Sequence, residues 1–416
     1  MKNIAVAVLA GISVILAVSL FYQNSKDIST SIEGLGNLSY AQAREKDAAA
    51  ADISRDTPIK IAVLGNGSDA RFRELLKGVR LANAGLNASG GVNGRNVKIV
   101  FKDSRGSLAS SKELAQELAA DTGVTAMICG FNYMEFRSVT PLCEYNGMLL
   151  VSPVITSGIL PDQGDLEMVY TNYPDIESML DVMFKFLKKN NLKSSAIISP
   201  PEYYYGYYFA NAFDRHFARG SKGAGVVRRD ICYENAPLLL KKTFYVWDPK
   251  AAFDNMLICG NNEIFKNVIP LARELNPDAA YLLTDEMECK ELLEDDTNDL
   301  KVFLPSIYDP DNEKEANKIF RTNFNKTYGY FPNVWAAQGY DTLNLIAAAM
   351  RETKSTSPIR LSDILWRMKF AGNVSTAPYI AFDEDGLLIG ADPVIKYPVK
   401  DGFKVLKSLD IKDMKK

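Results

Sequence analysis

Residues 83–103 read Asn-Ala-Gly-Leu-Asn-Ala-Ser-Gly-Gly-Val-Asn-Gly-Arg-Asn-Val-Lys-Ile-Val-Phe-Lys-Asp. An apolar run at 59–64 predicts a buried strand upstream of them, and the pattern at 70–86 predicts a helix that ends at the glycine pair and the Asn-Gly turn. The β-branched residues at 97–102 predict a second strand, which ends in a loop at Asp103. This strand, helix, turn and strand unit places polar groups at the carboxyl ends of strands, where open α/β sheets bind ligands.

The same alternation of short β-branched runs and helical patterns continues from Pro58 onwards, which indicates parallel sheets built from βαβ units. Polar, proline-bearing passages at 170–175 and 305–311 predict that the chain crosses there between two lobes. We therefore expect an α/β fold of two interleaved Rossmann-like lobes, with parallel sheets joined by a multi-strand hinge. The predicted lobes comprise residues 58–173 with 306–375, and residues 174–305 with 376–416.

Composition restricts the function. The chain has 416 residues and a net charge of −3, with scattered Lys and Arg, so no nucleic-acid partner is predicted. The single histidine, His216, is interpreted as part of a solvated helix face, which argues against histidine-based catalysis and histidine-rich metal sites. The five cysteines lack C-x-x-C spacing; Cys129 and Cys259 are expected to be small buried residues, and one disulfide among Cys143, Cys232 and Cys289 stays open.

The N-terminus carries an export signal. Residues 4–22 are an uncharged apolar run preceded by Lys2, and at ~1.5 Å per residue they span roughly one hydrocarbon core. They are either a retained membrane anchor or a signal peptide cut near the weak site Ala17-Val-Ser19, and no lipobox cysteine follows. Residues 23–57 are interpreted as a tether, and everything beyond Tyr22 is expected to lie outside the cytoplasm.

Several phrases resemble one known family. The segment Asn87–Arg95 is similar to the "N-x-x-G-G-(V/I)-x-G-R" phrase of type I periplasmic solute-binding proteins, in particular the branched-chain amino acid binding class of ABC transporter substrate-binding proteins. Tyr328–Asn333 and Ala336–Met350 resemble two further signatures of that family. Residues 370–386 resemble its "G-x-x-G-x-(V/I)-x-F-D-x-D-G" segment, with Thr376 or Ala377 in place of the second glycine. The resemblance runs in order over about residues 58–410 and implies the periplasmic binding protein type I fold.

Two loops of the first lobe are candidate ligand contacts. After the first strand, Asn66 and Ser68 are polar side chains in a glycine-containing loop, for which a plain tight turn is the alternative. After the third strand, the resemblance implies serines and threonines that hold a ligand carboxylate, but this chain has Met134 or Glu135 there. Asn132 and Tyr133 are the candidate replacement donors, and binding of an ordinary α-amino acid is in doubt because two carboxylates repel.

A third loop, Ser152–Ser157, is similar to the family phrase "S-P-(A/S)-A-T". The resemblance implies that backbone groups, such as those of Val154, and the hydroxyl of Thr156 contact the polar head of the ligand. The alternative for Thr156 is a helix N-cap.

The second lobe contributes two more candidates. Tyr205 stands in a tyrosine-rich segment that resembles the family's "D-x-x-Y-G" loop, whose tyrosine closes over the ligand; Tyr203 and Tyr208 have core or surface packing as their alternative. Glu286, with Asp285 beside it, is similar to the acidic position that pairs with a ligand ammonium group in that family. A solvated helix face over 285–299 is the alternative.

No P-loop, G-x-S-x-G, H-E-x-x-H or usable Cys-His pair occurs in the sequence, so no catalytic residue, cofactor or metal is predicted and an enzyme is not expected. The leading hypothesis is a solute-binding protein that closes its lobes on an amino acid or a related or aromatic compound and delivers it to an ABC-type permease. The alternative is a membrane-tethered ligand-sensing subunit that reports to a receptor or kinase.

Overall fold

The computed structural model describes residues 57–130, 132–156, 166–200, 203–220, 227–230, 253–260, 262–289, 292, 300–367, 369–371, 376–377, 379–400 and 402–414. The predicted signal or anchor at 1–22, the tether up to residue 56 and Cys232 lie outside these residues, so what was expected of them stays a prediction. None of the described helices is both long and apolar enough for a membrane span.

Five parallel strands form the sheet of the first lobe, in the order β2-β1-β3-β4-β5. They are β1 Ile59–Gly65, β2 Val97–Asp103, β3 Val124–Gly130, β4 Leu149–Ser152 and β5 Val169–Thr171. The central strands β1 and β3 are almost wholly buried, as expected where both faces of a parallel sheet are covered. The register pairs Gly65 with both Asp103 and Gly130, so the loops after three strands meet at one edge.

Three helices connect these strands: α1 Ala70–Ala88, α2 Leu108–Ala120 and α3 Tyr133–Tyr145. Each begins at a side chain that accepts a hydrogen bond from the first turn, respectively Asp69, Ser107 and Asn132. Because these caps directly follow the carboxyl ends of strands or the loops beyond them, the N-termini of α1 and α3 open at the same edge of the sheet.

The second lobe has a sheet of seven strands in the order β14-β13-β10-β9-β8-β6-β7. The strands are β6 Ser195–Ile198, β7 Val227–Asp230, β8 Asn255–Ile258, β9 Ala280–Leu283, β10 Lys301–Ser306, β13 Val394–Val399 and β14 Gly402–Val405; β11 Phe370–Ala371 and β12 Tyr379–Ile380 form a separate two-stranded ladder. The helices are α4 Ile176–Lys189, α5 Tyr204–Gly220 and α6 Asn262–Leu275. β6 to β10 are parallel, and β13 and β14 add antiparallel edge strands.

The chain returns to the first lobe after β10. Helices α7 Glu315–Tyr328, α8 Val334–Thr353 and α9 Pro358–Arg367 follow, and α8 packs along α1 before β13 rejoins the second sheet. The predicted α/β fold class with two lobes and parallel sheets is thereby confirmed. The residue numbers assigned to each lobe stay a prediction.

Glycines set the distance between α1 and α8. A Cβ atom added to Gly78 of α1 would lie 1.9 Å from the carbonyl oxygen of Ala336, and one added to Gly339 of α8 would lie 2.1 Å from that of Leu75. Both obstacles are backbone atoms, which cannot rotate away as a side chain can. The contact that joins the late part of the chain to the first lobe therefore depends on two positions without side chains.

Replacement of Gly339 by alanine should lower the free energy of unfolding by at least the ~1–3 kcal/mol typical of overpacking, because the helices must separate. Urea denaturation measures the effect. Gly85 on the same helix α1 is a matched control, since a Cβ there meets no atom within 4 Å. Gly85→Ala should stabilise the protein by about 0.5–1 kcal/mol through better helix propensity. Equal effects of the two substitutions would contradict the close approach.

Candidate functional site

A cavity of about 410 Å³ lies between the carboxyl ends of the two sheets. It is lined by residues that follow β1, β3 and β4 in the first lobe and by residues before α5 and after β9 in the second. Seven of the eight predicted site residues are brought together on its wall: Asn66, Asn132, Tyr133, Val154, Thr156, Tyr205 and Glu286. Ser68 is exposed and lies outside the lining, where its backbone N–H donates to Asn66 Oδ1.

The glycines that flank the first two loops have an internal role. A Cβ atom added to Gly65 or to Gly130 would lie 2.5 or 2.3 Å from the ring of Phe72. The ring of Phe72 thus packs against the ends of both strands, and this packing inside the lobe requires glycine at both positions.

The N-terminus of α1 carries an ion pair that sequence analysis missed. Asp69 caps the helix by accepting from the Arg71 N–H at 2.8 Å, and its carboxylate also accepts from Arg71 Nη2 at 2.9 Å. The same guanidinium donates from Nη1 to Glu286 Oε1 at 2.5 Å. Since Arg71 belongs to the first lobe and Glu286 follows β9 of the second, this bond spans the cavity and joins the lobes.

Opposite charges within this triad act against the cost of burial. Burial alone would lower the pKa of Arg71, but the carboxylates of Glu286 and Asp69 outweigh it and raise that pKa above its usual value. Burial raises the pKa of Glu286, and Arg71 counteracts the rise. The guanidinium carbon also lies 5.9 Å from the centre of the Trp335 ring, within the range of a cation–π contact.

Asp285 is the second acidic residue after β9 and is fully buried. Its two carboxylate oxygens accept hydrogen bonds from the hydroxyl of Tyr205, at 2.5 Å, and from that of Tyr173. Burial raises the pKa of Asp285 to about 7, against the lowering effect of these two donors. The alternative of a solvated helix face is wrong for this residue, because Asp285–Met287 is a single 3-10 turn with Asp285 inside the protein.

Glu288, which directly follows this turn, connects the second lobe to helix α8. Its carboxylate accepts from Lys396 Nζ at 2.9 Å and from the backbone N–H of Val334 at the start of α8, also at 2.9 Å. The indole N–H of Trp335 donates to the Glu288 carbonyl. Glu288 and Lys396 are 0% and 1% exposed, so this ion pair is fully desolvated and burial lowers the pKa of Lys396. The turn that follows β9 in the second lobe thus fixes the first turn of α8, which packs on the first lobe.

The loop before α3 is organised by a capping box. Asn132 Oδ1 accepts from the Glu135 N–H, and Glu135 Oε2 accepts from the Asn132 N–H. The other carboxylate oxygen of Glu135 accepts from Ser104 and Ser111, and the residue is 3% exposed. The charge of Glu135 is therefore already compensated, and the repulsion of a ligand carboxylate expected from it is weakened.

Tyrosine rings close the cavity from both lobes. Tyr133 on α3 stacks on Tyr204 at the start of α5, with ring centres 4.2 Å apart and planes 6° from parallel. This is a second direct contact between the lobes. Tyr203, for which packing was the alternative, lines the cavity, whereas Tyr208 is 36% exposed and packs on Tyr204.

Thr156 is a buried polar residue of the wall whose hydroxyl lacks a partner among the described residues. The residue is 1% exposed. A buried hydroxyl without a partner costs about 1–3 kcal/mol, so natural structures rarely leave one unless a ligand or water satisfies it. Residues 157–165 are outside the described part, so the N-cap alternative is not tested.

Sequence analysis missed Arg71, Trp335 and Tyr173. Arg71 stands three residues after Ser68. A single arginine in the first turn of a helix belongs to no motif that would mark it as a site residue. Its partner Glu286 is 215 residues away, so no spacing in the sequence could connect them. A search for a cation able to neutralise the predicted acidic position would have been the available signal.

Comparisons with known proteins support the two-lobed fold. Residues 58–230 match the family model described as periplasmic binding protein. The sequence has no match among curated proteins. Among solved structures, the chain is similar to the branched-chain amino acid transporter substrate-binding protein LivJ of Streptococcus pneumoniae in complex with isoleucine, at 18% identity and a TM-score of 0.70, over 84% of this chain and 99% of that one.

Two further structures are comparable. The leucine-binding protein LivK of Thermotoga maritima has 21% identity and a TM-score of 0.71, over 83% of this chain and 97% of its own. A solute-binding protein of an ABC transporter from R. palustris, in complex with benzoate, has 15% identity and a TM-score of 0.71, over 84% and 96%. The resemblance found in the sequence is thereby confirmed: residues 58–230 match the periplasmic binding protein family, and the chain shares its two-lobed fold with type I periplasmic solute-binding proteins.

Proposed function

We propose that this protein binds a small solute in the cavity between its lobes, outside the cytoplasm, and delivers it to an ABC-type permease. The observation that carries the proposal is the hydroxyl of Thr156, which is buried without a partner on the wall of that cavity. A solute that hydrogen-bonds to Thr156 would remove an energetic cost that the ligand-free protein bears.

The size and composition of the cavity support this proposal. About 410 Å³ is within the range of sites for small organic molecules. Aromatic rings of Phe72, Tyr133, Tyr204 and Trp335 offer apolar contact area, and a few polar groups stand between them. Such a wall suits a compact solute with one polar end and an apolar or ring-bearing body.

Closure of the lobes is the proposed mechanism. Among the described residues, the contacts identified across the cavity are Arg71 with Glu286 and Tyr133 with Tyr204, so opening of the cavity breaks a small number of contacts. A solute that touches both walls stabilises the closed form by its extra contacts there and shifts the population towards it. The permease then distinguishes loaded from empty protein by the relative position of the lobes.

The comparisons support a role in solute transport. Two of the similar structures are named for transport or binding of branched-chain amino acids, and one is a solute-binding protein of an ABC transporter holding benzoate. Those names support a small solute and a permease partner for this chain. The rival, a tethered sensor, is supported by the apolar run at 4–22 alone.

Fractionation of cells that produce the full-length chain tests the rival. If residues 4–22 are cleaved, the protein should appear in the soluble periplasmic fraction and start downstream of Ser19 by N-terminal mass spectrometry. Retention in the membrane fraction, with Met1 or Lys2 at the N-terminus, would favour the sensor.

Thr156→Val should abolish the rise in melting temperature that a binding solute produces in the wild type, because the substitution removes the hydroxyl and keeps the side-chain volume. The melting temperature without solute should stay equal or rise slightly, since an unpartnered polar group is lost. The measurement is a thermal-shift screen over amino acids, amides, aromatic acids and nucleobases, in which a bound solute stabilises by RT ln(1 + [L]/Kd).

Thr171→Val is the matched control for Thr156→Val. Thr171 is also 1% exposed with an unpartnered Oγ1, but it lies in β5 and not on the cavity wall. This control should keep the full solute-induced shift. Loss of the shift in both variants would contradict a direct contact of Thr156 with the solute.

The raised pKa of Asp285 gives the protein a pH-dependent stability. The folded state keeps a proton on Asp285 up to about pH 7, whereas the unfolded chain releases it near its ordinary value of 3.8. Between these values the folded state binds more protons, so the free energy of unfolding falls as pH rises from about 4 to 7. Glu144, whose pKa burial also raises to about 7, acts in the same direction.

Asp285→Asn should remove the contribution of Asp285, which is up to about 4 kcal/mol at 1.36 kcal/mol per pKa unit. Urea denaturation at pH 5 and pH 8 should therefore show a smaller loss of stability in this variant than in the wild type. Glu144→Gln, off the cavity wall, should remove a further part. An unchanged pH dependence in Asp285→Asn would refute the raised pKa.

A further inference from the structure

The carboxylates on the cavity wall are already engaged. Both oxygens of Asp69 accept from Arg71, those of Asp285 accept from two tyrosines, and those of Glu135 accept from two serines and a backbone N–H. The remaining one, Glu286, is paired with Arg71 through Oε1. Among the described residues, the acidic groups of this cavity are therefore largely closed to a new donor.

The groups left available are mostly hydrogen-bond donors. The guanidinium of Arg71 has five N–H bonds, of which three are used in the hydrogen bonds to Asp69 and Glu286, and its side chain is 33% exposed. The side-chain amides of Asn66 and Asn132 use their oxygens in bonds to backbone N–H groups, which leaves their Nδ2 atoms without a described partner. The hydroxyl of Thr156 adds a further donor. The wall is thus suited to a solute that presents acceptors.

Arg71 also occupies the place that an amino group would need. An ammonium group could approach Glu286 only through its second oxygen, and there it would lie beside the positive charge of Arg71. To replace Arg71, it would have to break an ion pair that joins the two lobes and leave the guanidinium with Asp69 as its one carboxylate partner. Like-charge repulsion and the loss of this pair both disfavour amines and zwitterions.

We propose that Arg71 determines the class of solute: the cavity takes a carboxylic acid without an amino group, carrying an apolar or aromatic body, and the free N–H groups of Arg71 hold its carboxylate. A planar guanidinium donates two parallel hydrogen bonds to a carboxylate. Arg71 therefore recognises a carboxylate more specifically than a lysine would. The rings of Tyr133, Tyr204 and Trp335 pack against the body. This inference rests on the proposed function and narrows it.

Matched solutes test the inference by isothermal titration calorimetry. One series is 3-phenylpropanoate, phenylalanine and 2-phenylethylamine; the other is 4-methylpentanoate, leucine and 3-methylbutylamine. Within each series the body is nearly constant, and the head is an acid, a zwitterion or an amine. The wild type should bind at least one acid ten-fold or more tightly than the zwitterion and the amine of its series.

Variants of Arg71 assign this selectivity to the residue. Arg71→Gln should weaken binding of the acid at least ten-fold and narrow its advantage over the zwitterion, whereas Arg71→Lys should restore only part of the affinity. Arg73→Gln is the matched control, since Arg73 is exposed on the same helical turn, off the cavity wall, and the variant loses the same charge. It should bind as the wild type does.

Several results would overturn the inference. They are wild-type preference for the zwitterion or the amine, failure of both acids to bind, or Arg71→Gln and Arg71→Lys variants that bind the acid as the wild type does. If an amino acid binds and Thr156→Val abolishes its binding, the proposed function stands and only the inference falls. The proposed function itself falls if no solute of any class shifts the wild-type melting temperature.

Discussion

The arrangement of the two lobes depends on the burial of one acidic turn, Asp285–Glu288. A desolvated carboxylate is costly unless charges or donors compensate it, so each acid of the turn requires a partner at a fixed position. The partners come from every part of the fold: Arg71 from the first helix, Tyr173 from the crossing after β5, and Lys396 from β13. The turn also binds the first N–H of α8 at Val334. Residues distant in sequence are thereby held at one point.

These contacts differ in what they allow to move. Glu288 ties the second lobe to the start of α8 close to the hinge, so this link is able to persist while the lobes rotate. The pairs Arg71 with Glu286 and Tyr133 with Tyr204 lie across the cavity and must part when it opens. A buried link near the crossings between the lobes, combined with contacts across the cavity that are able to part, fits the proposed closure of the lobes.

Local pattern predicted the strands and helices, and the resemblance to a known family indicated the position of the cavity. The strand predicted at 59–64 is observed as Ile59–Gly65, because an apolar run bounded by turn residues specifies a buried strand without reference to the rest of the chain. The family resemblance, together with the rule that ligands bind at carboxyl strand ends, indicated seven residues that the structure places on one wall. The interpretation of 285–299 as a solvated helix face failed at Asp285, since acidic composition does not reveal that Tyr173 and Tyr205 surround the side chain.

An ion pair inside a solute cavity acts through exclusion as much as through attraction. Specificity is a difference between affinities, and a charge that repels the wrong head group contributes to it as directly as a hydrogen bond to the right one. In this protein Arg71 is paired with Glu286, so the acidic position that the family resemblance indicated does not offer an empty site for a cation. Arg71, which joins the lobes, therefore also limits which solutes bind between them. A solute that leaves the Arg71–Glu286 ion pair intact binds more tightly than one that must break it.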